Sequence, residues 1–131
     1  VKWIVLGLVL VLLGCSSGLD TLRASWNAAN AGAVATLTEI ESLHEAETQT
    51  VVTDPALSKE QKLAALDAVM DRWAPVYVAF RAYRAVLAAS RVALEAAEAA
   101  ELAGHQPDLT KVTDLGTQAI EAKHALAEAI P

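Results

Sequence analysis

An all-α fold, an antiparallel bundle of three helices around a long, proline-kinked central one, follows from three features of the chain. Alanine is the commonest residue and aromatic residues make up only 5%, the composition of long helices rather than of strands. Apolar residues recur at steps of three and four over most of positions 19–131, which is incompatible with the alternation of a strand. The periodic stretches are bounded by recognisable helix start and stop signals. A length of 131 residues holds one modest core, and nothing in it marks a second domain or an internal repeat.

The first helical segment carries its apolar residues at Leu19, Leu22, Trp26, Ala29, Ala33, Leu37, Ile40 and Leu43. Asp20 favours the positive end of the helix dipole, whereas Glu39, Glu41, Glu45 and Glu47 crowd its far end, where negative charge is unfavourable. Thr48 to Thr53, with β-branched Val51-Val52 in the middle, reads as a connection.

Two starts are available for the second segment. Asp54-Pro55 places proline at a first helical position, and Ser58-Lys59-Glu60-Gln61 has the stronger form of a capping box. From there Leu63, Leu66, Met70, Trp73, Tyr77, Phe80, Leu87 and Leu94 form the expected buried seam. Gly104 followed by Pro107 stops the helix. Pro75 removes one backbone bond inside this run. The seam passes it without a change of phase, which predicts a kink; a clean break would instead give a four-helix bundle.

Asp108 caps the third segment, whose apolar positions are Leu109, Val112, Leu115, Ala119, Ala122, Leu126 and Ile130. The central segment, Ser58 to Ala103, is about 69 Å long at 1.5 Å per residue, so neither shorter neighbour covers it alone. The expected arrangement places the first segment on its N-terminal part and the third on its C-terminal part. The two would overlap near Phe80 to Leu87, with a two-helix tip projecting each way. In that register Glu41, Glu45 and Glu47 approach Lys59 and Lys62, Glu121 approaches Arg91, and Glu128 approaches Arg81 or Arg84.

Ahead of these segments the chain reads Val1-Lys2-Trp3-Ile4-Val5-Leu6-Gly7-Leu8-Val9-Leu10-Val11-Leu12-Leu13-Gly14-Cys15. The apolar run from Trp3 to Leu13 rises about 16 Å as a helix, half of what a bilayer crossing needs, and has the length of a signal-peptide apolar region. Leu12-Leu13-Gly14-Cys15 resembles the lipobox of bacterial lipoproteins. That resemblance implies cleavage by signal peptidase II between Gly14 and Cys15, with lipid attached to the Cys15 thiol and to the new amino group. Several acyl chains on one residue suffice for stable anchoring. Ser16, where an aspartate would favour retention in the inner membrane, implies export to the periplasmic face of the outer membrane. The domain reading is a signal peptide over 1–14, a lipidated tether over 15–18 and a helical domain over 19–131.

The remaining chemistry is sparse. The acidic balance, a net charge of −6, argues against nucleic acid as a partner. Lone Cys15 provides no disulfide and no cysteine-based zinc cluster. His44 with Glu41 shares a helical face but lacks further ligands at helical spacing, so a surface histidine is expected and no metal. No nucleophile elbow, phosphate loop or H-E-x-x-H motif is present, and the chain reads as no enzyme, with no cofactor beyond the lipid on Cys15 and no small-molecule substrate inferred. Glu95, Glu98 and Glu101 read as one solvated face.

Trp73, Tyr77, Phe80 and Tyr83 form an aromatic stripe flanked by Arg72, Arg81, Arg84 and Arg91. Helical spacing favours a core seam with arginines paired to the acidic helices. Tyr83 and Arg84, beside the seam, fit that reading least, so Arg72, Tyr83, Arg84 and Arg91 are the candidate interaction surface. The expected function is that of a membrane-anchored helical lipoprotein acting through envelope or protein contacts. A periplasmic binding module using the arginine–aromatic stripe, and a phage-encoded envelope lipoprotein for lysis or exclusion of rival phage, are the alternatives.

Overall fold

A computed structural model describes residues 18–131. The leader, Gly14 and Cys15 lie outside the described residues. Three helices make up the fold: α1 (Gly18–Thr53), α2 (Lys59–Leu102) and α3 (Thr110–Ala129). The central helix packs against both of the others.

The starts and stops follow local chemistry. Ser58 caps α2 through its side chain, accepting from the Gln61 amide at 3.2 Å, and the Gln61 side chain accepts from the Ser58 amide at 2.8 Å. Asp54-Pro55 belongs to the preceding turn, where Asp54 Oδ1 accepts from the Ala56 amide at 2.8 Å. At the other end Gly104 takes the left-handed conformation with φ 77°, and the amides of Gly104 and His105 donate to the carbonyls of Glu101 and Ala100. The N-cap of α3 is Leu109, with no side-chain cap bond, rather than the expected Asp108. One position earlier Asp108 Oδ1 accepts from the Thr110 amide at 3.0 Å in a local turn, which holds the Asp108 carboxyl below its ordinary range.

α2 runs unbroken across Pro75, so the bundle has three helices and not four. Pro75 is exposed, and so is Asp71, whose carbonyl loses its helical partner. Water can take that carbonyl, which is why the missing bond does not end the helix.

Burial follows a repeat of seven. On α2 the buried residues are Val69, Val76, Tyr83, Ser90 and Ala97 in one column and Trp73, Phe80, Leu87 and Leu94 in the next, with Ala93 beside them. On α1 Leu19, Ala33 and Ile40 keep the same spacing, and on α3 Val112, Ala119 and Leu126 do. A strict seven-residue repeat is the spacing of helices that wrap around one another left-handedly. It also corrects the expected seam. Leu63 and Met70 are 56% and 63% exposed, Leu66 is half-buried, and Val69 and Val76 take the inward positions.

α1 departs furthest from expectation. Thr48 to Thr53 is its last turn and a half, not a connection. The Thr50 and Thr53 hydroxyls donate to the carbonyls of Ala46 and Gln49, one turn back, and Val51 packs on the core. Lys62 Nζ donates to the Val52 carbonyl at 2.6 Å, bringing a positive charge from α2 to the negative end of α1. The extra six residues add about 9 Å at 1.5 Å per residue, and they change the register. Glu47 therefore faces Arg72 rather than Lys59 or Lys62. Between described residues the ion pairs are Arg23–Glu98, Arg72–Glu47 and Arg91–Glu95; Arg91 pairs within its own helix and not with Glu121.

The shape changes accordingly. Contacts from Arg23–Glu98 at one end to Val52–Lys62 at the other show α1 lying antiparallel along nearly all of α2. α3, 20 residues and about 30 Å long, turns back along the C-terminal part of α2 only. Leu19 packs with Leu94, Ala97 and Val112, so the start of α1 lies at the three-helix end and not at a central waist. One two-helix arm projects from the other end, where the sequence suggested two.

Candidate functional site

The four residues of the expected interaction surface do not act together. Tyr83 is a core residue, 3% exposed, with its hydroxyl 3.4 Å from the Ala29 carbonyl. Burial pushes its phenol above the ordinary range. Arg84 donates to Asn30 Oδ1 at 2.8 Å, and Arg72 to Glu47 Oε1 at the same distance. Arg91 pairs with Glu95 at 2.7 Å and lies 6.0 Å from the centre of the Trp26 ring. Trp26 in turn donates to the Leu87 carbonyl at 2.8 Å. Those side chains tie helices to one another. Tyr83 is therefore removed from the surface set, because the column of Val69, Val76 and Ser90 to which it belongs points inward.

Glu98 also differs from expectation. Its two carboxylate oxygens accept from Nε and Nη2 of Arg23, a forked pair at the three-helix end. That contact lowers the Glu98 carboxyl and raises the Arg23 guanidinium. Glu98 is not merely part of a solvated face.

The arm holds a cluster that the sequence did not disclose. The His44 ring stacks on Trp73, with centroids 5.3 Å apart and planes 22° from parallel. It meets Tyr77 edge-on at 5.7 Å, and His44 Nδ1 lies 3.0 Å from the Tyr77 hydroxyl. Trp73 Nε1 donates to Glu47 Oε2 at 2.6 Å, and the other Glu47 oxygen takes Arg72. Burial, and secondarily the charge of Glu41, pushes the Tyr77 phenol above its ordinary value. His44 Nδ1, the Tyr77 hydroxyl, Trp73 Nε1 and both Glu47 oxygens each have a partner within the cluster, which fixes α1 against α2 at one register. His44 could have been placed there from its spacing: Asn30, Leu37, His44 and Val51 recur every seven residues along the edge of α1 that faces α2. Read alone, as a histidine on a charged segment, it looks like surface.

Among the described residues no group of three or more histidine, cysteine, aspartate or glutamate side chains could hold a metal, and no helix is long and apolar enough to cross a membrane. Large apolar side chains are exposed on both parts of the molecule: Leu43, Val52, Leu63 and Met70 on the arm, and Val34, Val92, Leu102 and Ile120 along the three-helix part. Gly14 and Cys15, the expected cleavage and lipidation residues, lie outside the described residues. No protein-family model matches the chain, nor does any curated protein or any solved structure.

Proposed function

We propose that the chain is a lipid-anchored helical protein of the bacterial envelope that holds a two-helix arm away from the membrane and meets another envelope component there. The lipobox-like Leu12-Leu13-Gly14-Cys15 carries the anchoring. α1 begins at Gly18, three positions after Cys15, at the three-helix end of the bundle. A lipid on Cys15 would therefore sit at that end, with the arm pointing away from it. The uncovered Leu43, Val52, Leu63 and Met70 supply the apolar contact area that a protein partner would use. A ligand platform on the arginine–aromatic stripe is less well supported, because Tyr83 is buried and Arg72, Arg84 and Arg91 are engaged.

Expression in a bacterium with the lipoprotein pathway tests the anchor. The mature species should lose fourteen residues and gain acyl mass on Cys15, and Cys15→Ala should leave an unmodified precursor outside the outer-membrane fraction. Intact mass of a lipid-free mature protein starting elsewhere would refute it. For the arm, a photo-crosslinking residue at Met70 should give a discrete adduct in cells, and one at exposed Gln118 on α3 should give none.

A further inference from the structure

α1 and α3 both pack on α2 and meet each other near Leu19 and Val112, where Leu109 lies against Gly18. Beyond that point a trough of about 260 Å³ separates them. Its floor is α2, at Tyr83, Leu87 and Leu94, and its walls are α1 from Leu22 to Gly32 and α3 from Val112 to Lys123. Thr113, Thr117 and Ser90 donate to carbonyls one turn back and the Tyr83 hydroxyl reaches the Ala29 carbonyl, so Ser25 is the one lining hydroxyl left over and the surface is mainly apolar.

Two glycines, one on each wall, leave this space open. Gly32 and Gly116 lie inside helices, where glycine is less favourable than alanine. Neither has a positive φ, and a Cβ on either would meet nothing within 4 Å. Neither backbone conformation nor packing within the chain explains them, but both line the trough.

Lys123 says what would fill it. It is the only charged residue on the trough and is half-buried. The other half-buried base, Lys62, donates to the Val52 carbonyl, whereas Lys123 has no ion pair or hydrogen bond among the described residues. An apolar channel about 16 Å long from Val112 to Lys123, ending on one unneutralised cation, complements a single alkyl chain with an anionic head. The polarity of the trough distinguishes a free amphiphile from a lipid tethered at Cys15. A tethered chain would enter from the Gly18 end and place its methyl terminus on the Lys123 ammonium; a free one places its head there. We propose that this trough is a binding site for a free long-chain carboxylate, with Lys123 holding the head and Tyr83, Leu87 and Leu94 the chain. This goes beyond the anchoring reading and does not depend on it.

Calorimetric titration of the full-length chain with palmitate, kept below its micelle concentration, is the test, with hexadecanol as the uncharged control. Saturable binding of one palmitate per chain is expected. Lys123→Met should weaken palmitate at least tenfold and leave hexadecanol unchanged. Gly116→Leu should abolish binding of both while helicity and thermal midpoint hold or rise; Gly32→Leu, from the opposite wall, should do the same. Absence of saturable binding would overturn the proposal, as would binding that survives both folded glycine variants or equal weakening of the two ligands by Lys123→Met. A wild-type dimer that ignores palmitate and is split by Gly116→Leu would also overturn it, by assigning the trough to a second copy of the chain.

Discussion

Along α1 the central helix is joined by polar side chains at intervals over its whole length, from Arg23–Glu98 through Asn30–Arg84 and His44–Tyr77 to Glu47–Trp73 and Val52–Lys62. Along α3 it meets only apolar residues, Val112, Ala119 and Leu126 with Leu115, Ala122 and Ala129 beside them, and no hydrogen bond or ion pair between described side chains links α3 to another helix. Apolar contact is non-directional, whereas a hydrogen bond that is lost when two helices slide by a turn is not. The α1 interface thus carries the information on register, and the α3 interface contributes burial with less positional specificity. That distribution suits a long two-helix arm with no third helix to align it.

Truncating the largest buried side chain on each interface should give the largest effects. Trp73→Ala removes a 3%-exposed indole along with the His44 stack and the Glu47 hydrogen bond, and should cost about 3–5 kcal/mol. Leu126→Ala, on the apolar side, should cost about 2–4 kcal/mol by cavity formation alone. Urea unfolding of both measures this, and a Trp73→Ala protein as stable as the parent would show that the arm is not packed as described.

A smaller effect isolates the polar contribution. Glu47→Ala leaves the Trp73 indole N–H without its acceptor, and should cost about 1–3 kcal/mol. Combined with Trp73→Phe, which has no N–H to leave stranded, the same change should cost clearly less. Additivity of the two substitutions would mean the bond does not hold the register.

Acidification should have the mildest effect. Glu98 and Asp108 both have carboxyls lowered from ordinary values of 4.5 and 3.8, by Arg23 and by the Thr110 amide respectively. A lowered folded-state pKa stabilises the fold above the ordinary value and loses that contribution as pH falls through the folded one. Thermal midpoints should be level near pH 6 and decline from about pH 4.5 downward, and Glu98→Gln should flatten the upper part of the decline. Both carboxyls reach solvent, so the change is modest. A midpoint that rises on acidification would reverse the assignment.

Features decided within one or two turns of helix were legible before any contact was known. Ser58 and Gln61 cap each other three residues apart, and Gly104 ends α2 because no other residue takes φ 77° so readily. The continuity of α2 across Pro75 was legible too, since a break would have reset the phase of the seam. Three other features depended on partners far along the chain. Val51-Val52 stays helical because Lys62, ten residues after Val52, takes the Val52 carbonyl near the helix end and the core accepts Val51. His44 is an interface residue only because Trp73 and Tyr77 come to meet it. Tyr83 is buried, and Met70 exposed, because α2 carries apolar residues on adjoining faces and the position of α1 and α3 selects which one turns inward. Caps and stops are made by hydrogen bonds a few residues long, so the local sequence determines them. Register and the inward face depend on which distant side chains fit together, and only the packed helices decide that.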